Sequence, residues 1–148
     1  MTDPVPDDVS LVPVFRALMT CHAQVSRVAA RYIESLGLTP SQFDVIVTLG
    51  DTPGMTCSEL GRRTLISKGT LTPVLDRLEA RGLVTRQRGE TDARQVRVAL
   101  TPAGDAEYRR VFLPHVAQLR THLDRLSADR QAALVAALGE LQRVFTDA

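Results

Sequence analysis

The sequence predicts a mainly α-helical protein with a small β-wing: a winged helix-turn-helix flanked by N- and C-terminal helices. Three observations lead there. Apolar residues recur at helical spacing through most of the 148 residues. Two helix starts lie close together between Thr56 and Gly82, and the second helix ends on a glycine. Directly after it, two short strand candidates, the second with alternating apolar residues, bracket a polar turn, the pattern of a hairpin.

The bulk numbers bound the rest. The chain is long enough for one compact core, or for a small module with dimerisation arms. A hydrophobic content of 44% with 24% charged residues is that of an ordinary folded protein. No uninterrupted apolar run is long enough to span a bilayer, and no basic-then-apolar leader precedes the helices. By elimination the expected address is cytoplasmic, with no membrane partner. The acidic, proline-bearing residues 1–8, MTDPVPDD, are expected to form a flexible tail.

A net charge of +1 conceals a segregation. Residues 56–100 carry nine basic side chains against five acids, a net +4, while everything else carries nine against twelve, a net −3. A basic module on an acidic scaffold suits a surface that meets a polyanion at one end only.

Taken in order, the first helix spans Ser10 to Leu36, with Leu11, Val14, Phe15, Leu18, Cys21, Val25, Val28, Tyr32 and Leu36 at helical spacing. Pro13 is tolerable in its first turn and Gly37 stops it. So long a helix exceeds what a small head needs, which assigns it to a dimer interface. Thr39-Pro40-Ser41-Gln42 is a capping box with proline at the first helical position. Phe43, Ile46, Val47 and Leu49 supply the second helix with a buried face, and Gly50 to Gly54 end it.

The third helix starts by the same device. Thr56 caps, Glu59 reaches back, and Met55 staples onto Leu60. It ends near Thr64. The fourth begins at Ser67, turns Leu71, Val74, Leu75 and Leu78 inward, and stops at Gly82. A short helix, a turn and a second helix fit helix-turn-helix geometry. Pro73 removes one intrahelical hydrogen bond, so either a kink lies there or regular structure begins near Thr72; the kink is the favoured reading. Leu83–Arg88 and Gln95–Leu100 are the strand candidates, with Gly89 to Arg94 as the hairpin tip. Thr101-Pro102 starts a fifth helix that Pro114 should bend, and Ser127 caps a sixth with Leu134, Leu138, Leu141 and Phe145 in a stripe. These terminal helices and the first hold more apolar surface than a small monomer can hide, which a homodimer resolves. The domain reading is therefore a helical dimerisation region at 9–36 and 102–148 around a winged helix-turn-helix at 37–101.

Several chemistries have no support. Cys21 and Cys57 show neither a CxxC nor a Cys/His metal spacing. No nucleophile–base pair or phosphate-binding glycine loop occurs; in GRRTLISKGT, Lys68 precedes Gly69 where a P-loop needs Gly-Lys. Neither an enzyme nor a bound cofactor is expected. Cys21 reads as a small buried hydrophobe, with a redox sensor as the alternative. Cys57 is a plain helix residue, although a thiol just inside a helix N-terminus can have its pKa lowered.

The segments TPSQFDVI, SKGTLTPVLDRLEARGLVTR, DAR and VALTPAG, in this order and at these spacings, resemble the MarR family of bacterial transcription regulators. The resemblance covers nearly the whole chain. It implies a dimeric winged helix on pseudo-palindromic operators, often a repressor released by a small ligand or an oxidant. Within the family, GTLTP at Gly69–Pro73 resembles the organic-hydroperoxide-sensing branch. That branch's sensor cysteine would fall at Phe15, and the tyrosines that hydrogen-bond its thiol at Met19 and Ala29, so peroxide sensing is not carried over. Cys21 lies nearly two turns beyond the slot.

DNA reading would divide between affinity and sequence. Basic side chains on phosphates supply affinity and salt dependence; contacts at base edges supply specificity. On the fourth helix Ser67, Lys68, Thr70 and Thr72 are placed to enter the major groove, Gly69 lets the backbone approach, and Arg77 reaches a phosphate or base. Arg86, Arg88 and Arg97 on the wing strands are expected near phosphates. Asp92 and Arg94 match the family's acidic-x-arginine signature, which implies that Arg94 enters the minor groove while Asp92 orients it. Partners are then double-stranded DNA, a second copy of the chain and a small effector. The effector is expected between the winged module and the dimerisation helices.

Overall fold

The computed structural model describes residues 11–64, 66–88 and 95–146, and divides into two units at Val111/Phe112. In the first unit, α1 (Leu11–Ser35) and α2 (Pro40–Leu49) lead into the short β1 (Met55–Thr56) and α3 (Cys57–Thr64). Then follow α4 (Lys68–Ala80), β2 (Val84–Arg88), β3 (Val96–Leu100) and the start of α5 (Pro102–Leu123). The second unit holds the remainder of α5 and α6 (Ala128–Thr146). The sequence-based fold class is the one observed.

The capping signals explain where the helices begin. Thr39 and Gln42 make both halves of a capping box, satisfying two amides that α2 cannot pair internally. Thr56 Oγ1 accepts from the Glu59 amide at 3.2 Å, so Thr56 does cap α3. Glu59 does not reach back, however. The Thr56 backbone belongs to β1, opposite Arg97, and the Glu59 carboxylate turns instead to Arg63 at 2.9 Å. Ser67 caps α4 by accepting from the Thr70 amide at 3.3 Å. Helix α4 is regular from Lys68 and runs through Pro73, which excludes a start near Thr72. Gly82, at φ +71°, turns the chain out of α4, and the Leu83 amide closes the end on the Leu78 carbonyl at 2.9 Å.

The three strands form one antiparallel sheet in the order β1-β3-β2. Val84 faces Leu100, Arg86 faces Val98 and Arg88 faces Val96, while Met55 lies on the other side of Val98. Strand pleating therefore puts Arg86 and Arg88 on the same side of the sheet as Val84 and Val98. Strand β1 was not anticipated, being two residues long and carrying no alternation.

Val45, Ile46 and Leu49 of α2, Leu60 of α3, Leu75 and Leu78 of α4, and Val84, Val98 and Val111 are almost fully enclosed. Burying each such side chain is worth about 1.5–3 kcal/mol, so this cluster fixes α3 and α4 against the sheet. Elsewhere the helices leave many apolar residues exposed. Helix α1 leaves Val14, Phe15, Met19 and Val25 exposed, Phe15 at 63%, and Cys21 is exposed too, contrary to its expected burial. Within the second unit α6 buries none of its described residues and exposes Leu134, Val135, Leu138 and Phe145. No helix among the described residues is long and apolar enough to cross a membrane.

Candidate nucleic-acid interface

Helix α4 has two faces of opposite character. Leu71, Val74, Leu75 and Leu78 are buried, while Ser67, Gly69, Thr70, Thr72 and Arg77 are exposed. The spacing of the buried residues fixes the roll of the helix, so its N-terminal turn stands toward solvent. There the Ser67 and Thr70 hydroxyls lie 2.9 Å apart and pair with each other, forming a small polar tip. A Cβ placed on Gly69 would meet no atom within 4 Å. Lys68 opens the helix.

Two of the wing-strand arginines make bonds within the protein. The Arg86 guanidinium is taken up by α4: Nη2 donates to Asp76 Oδ1 at 2.6 Å and to Glu79 Oε2 at 2.5 Å, and Nε donates to Glu79 Oε2 at 3.0 Å. These bonds hold the Glu79 carboxyl below its ordinary range and raise the already high pKa of Arg86. The reason is the strand register, which turns Arg86 toward the helices and leaves it facing two carboxylates. Arg97, on the opposite side of the sheet, donates from Nη2 to the Gly54 carbonyl at 2.8 Å and so ties β3 to the loop before β1. Arg88 is exposed and makes no ion pair among the described residues; the same holds for Arg62 and Arg77. Asp92 and Arg94 lie outside the described residues.

Between α3, α4 and the wing strands runs a cleft of about 880 Å³. Its apolar lining comes from Ile66, Leu71, Leu75 and Val96, and its basic lining from Arg62, Arg86 and Arg88. Cys57 also lines it. Burial pushes the Cys57 thiol up, and the positive charge of Arg86 offsets this only in part. The lowered pKa that a helix start can confer is not realised here, because loss of hydration outweighs it.

On this architecture the comparisons with known proteins converge. A MarR family model matches residues 36–95, which span α2 to the wing. The regulator PecS of Dickeya dadantii is 31% identical over 139 residues, covering 92% of this chain and 84% of that protein. The chain belongs to the MarR family. Among solved MarR-family structures, AbsC from Streptomyces coelicolor superposes with a TM-score of 0.83 at 25% identity, covering 99% of this chain and all of that one. A variant of MarR from E. coli, complexed with operator DNA, superposes with a TM-score of 0.79 at 28% identity over 89% of this chain and 95% of that one. The protein is thus a MarR-family transcriptional regulator with a DNA-binding winged helix-turn-helix, and not an enzyme.

Proposed function

We propose that this MarR-family protein acts as a homodimeric repressor on a pseudo-palindromic operator and is released by a small ligand. The observation that carries the DNA-reading part is the solvent face of α4. Its N-terminal turn offers two hydroxyls at Ser67 and Thr70, an open backbone at Gly69, and Thr72 and Arg77 further along. Together with Lys68 these groups meet base edges and neighbouring phosphates in the major groove. Arg88 adds a phosphate contact from the wing. For Asp92 and Arg94 the family resemblance supports minor-groove insertion of the arginine, oriented by the aspartate. Arg86 and Arg97 act in support of the wing, as both are bonded within the protein.

The dimer rests on the apolar faces left bare on α1 and, in the second unit, on α6. Faces of this kind are covered in a stable oligomer. Two-fold pairing would set two α4 helices about one turn of DNA apart, roughly 34–36 Å. A ligand that alters this spacing weakens binding. The cleft beside α4 suits a small aromatic anion, since Leu71 and Leu75 would take the ring and Arg62 or Arg88 the charge. It lies within the winged module, whereas the sequence pointed to the junction with the dimerisation helices.

The test is a mobility-shift titration on the DNA upstream of the protein's own gene, with light scattering in parallel and an aromatic carboxylate added to the complex. A dimer that shifts this DNA selectively, with steep salt dependence and loss of the shift on adding the anion, is the expected result. A monomer, or no sequence-selective shift, refutes the reading.

A further inference from the structure

We propose that Arg86 is a positioning residue for DNA binding: clamped by Asp76 and Glu79, it locks wing strand β2 to recognition helix α4, so that helix and wing meet DNA as one rigid unit. The inference rests on the DNA-binding reading above and concerns how its two contact elements are held at a fixed angle.

The chain joins α4 to β2 through only the residues 81–83, and β2 then runs five residues toward the hairpin tip. A small rotation at the root of such a strand becomes a large displacement at its far end. Arg86 sits midway along β2, two residues beyond the buried Val84. Beyond it, only Gln87 and Arg88 of the strand remain. Asp76 and Glu79 lie one turn apart on α4 and face it together. Four hydrogen bonds cross the gap. Besides the three from the guanidinium, the Arg86 amide donates to Glu79 Oε1 at 3.3 Å, so backbone and side chain are tied to the same carboxylate. A planar guanidinium holds two carboxylates in a fixed orientation, which a lysine ammonium, a single point charge, does not.

This arrangement is a poor way to stabilise the fold. The Asp76 and Glu79 side chains are 54% and 40% exposed, and exposed ion pairs contribute little. It also places two negative charges on the helix that approaches phosphates, which by itself opposes binding. Arg86 offsets that repulsion while using both carboxylates as anchors. The clamp therefore acts on the geometry of the bound state more than on the stability of the free protein.

The experiment turns on a sign. Binding to the duplex upstream of the protein's own gene is measured by fluorescence anisotropy across a range of salt for wild type, Asp76→Asn with Glu79→Gln, Asp76→Asn alone, Arg86→Gln and Arg86→Lys. Simple electrostatics says that removing two carboxylates tightens binding. The clamp says the reverse: the double variant should bind about fivefold to tenfold more weakly. Asp76→Asn alone should lose less, in the same direction, and its smaller perturbation keeps the test valid if the double variant folds poorly. Arg86→Gln should weaken binding with its salt slope unchanged, and Arg86→Lys should recover part of the loss. Tighter binding by the double variant, or a slope for Arg86→Gln lower by about 0.9, overturns the clamp and makes Arg86 a phosphate contact. If the wild type itself shows no selective binding, the DNA-binding reading fails and the clamp's role fails with it.

Discussion

Replacing Gly69 by alanine should move stability and DNA affinity in opposite directions. Gly69 is the second residue of α4, its φ is not positive, and an added Cβ has no heavy atom within 4 Å. The methyl group therefore costs no strain and no contact in the free protein. It also removes backbone freedom from the unfolded chain, a gain of about 0.5–1 kcal/mol. For a chain of this size that raises the melting temperature by roughly 1–4 °C. On DNA the same methyl projects from the turn that enters the groove. Forcing it into a close-packed interface costs about 1–3 kcal/mol, a loss of roughly five- to 150-fold in affinity. Thermal melts read the first effect. Anisotropy titration at fixed salt, on the DNA upstream of the gene, reads the second. A Gly69→Ala protein that melts higher yet binds as tightly as wild type would show that this turn does not approach DNA. One that melts lower would show that α4 does not start as described.

Two further perturbations probe the frame. In Gly104→Ala, the new Cβ would stand 2.0 Å from the Leu83 carbonyl oxygen and 3.2 Å from Leu100 Cβ, so α5 must lift from the turn after α4; destabilisation of about 1–3 kcal/mol is expected, and an unchanged melting temperature would contradict that packing. The Glu107 carboxyl is held below its ordinary range by Arg110, which also donates to the Leu36 carbonyl just past α1 at 2.7 Å. A depressed pKa gives stability that is complete above the unfolded value, about 4.5, and lost as pH falls through the folded one. The acid limb of the melting curve should therefore be shallower in Glu107→Gln than in wild type, and identical limbs would remove this contribution.

Much of the winged module was legible because its signals are local. The Thr39–Gln42 box, the Ser67 cap and Gly82 each act within a few residues, and the helix boundaries follow them closely. The buried face of α4 was legible too, since Leu71, Val74, Leu75 and Leu78 can share one side of a helix in only one way. What the sequence hid was non-local. Strand β1 exists because Met55 and Thr56 find β3 more than forty residues on, and two residues carry no period. Glu59 had a capping motif on one side and Arg63 one turn away on the other; strand pairing of Thr56 decided for Arg63. Cys21 sits at a helical apolar spacing that implied burial, yet it is exposed among the described residues.

The arginines carry this lesson furthest. Nine basic side chains against five acids identify residues 56–100 as a cationic module, and that inference needs only composition. Which cations remain available to DNA depends on which carboxylates and carbonyls the fold brings alongside them. Arg63 is opposite Glu59 and Arg86 is held by Asp76 and Glu79, whereas Arg97, bonded to the neutral Gly54 carbonyl, keeps its charge. Arg62, Arg77 and Arg88 have no ion-pair partner among the described residues, and these three border the exposed side of α3, α4 and the wing root. Cations already paired inside the protein release fewer counterions on binding, so the salt slope follows the unengaged set and not the total. Internal pairing thus converts a broadly basic segment into a narrow one, with the engaged arginines setting angles and the unengaged ones meeting phosphates.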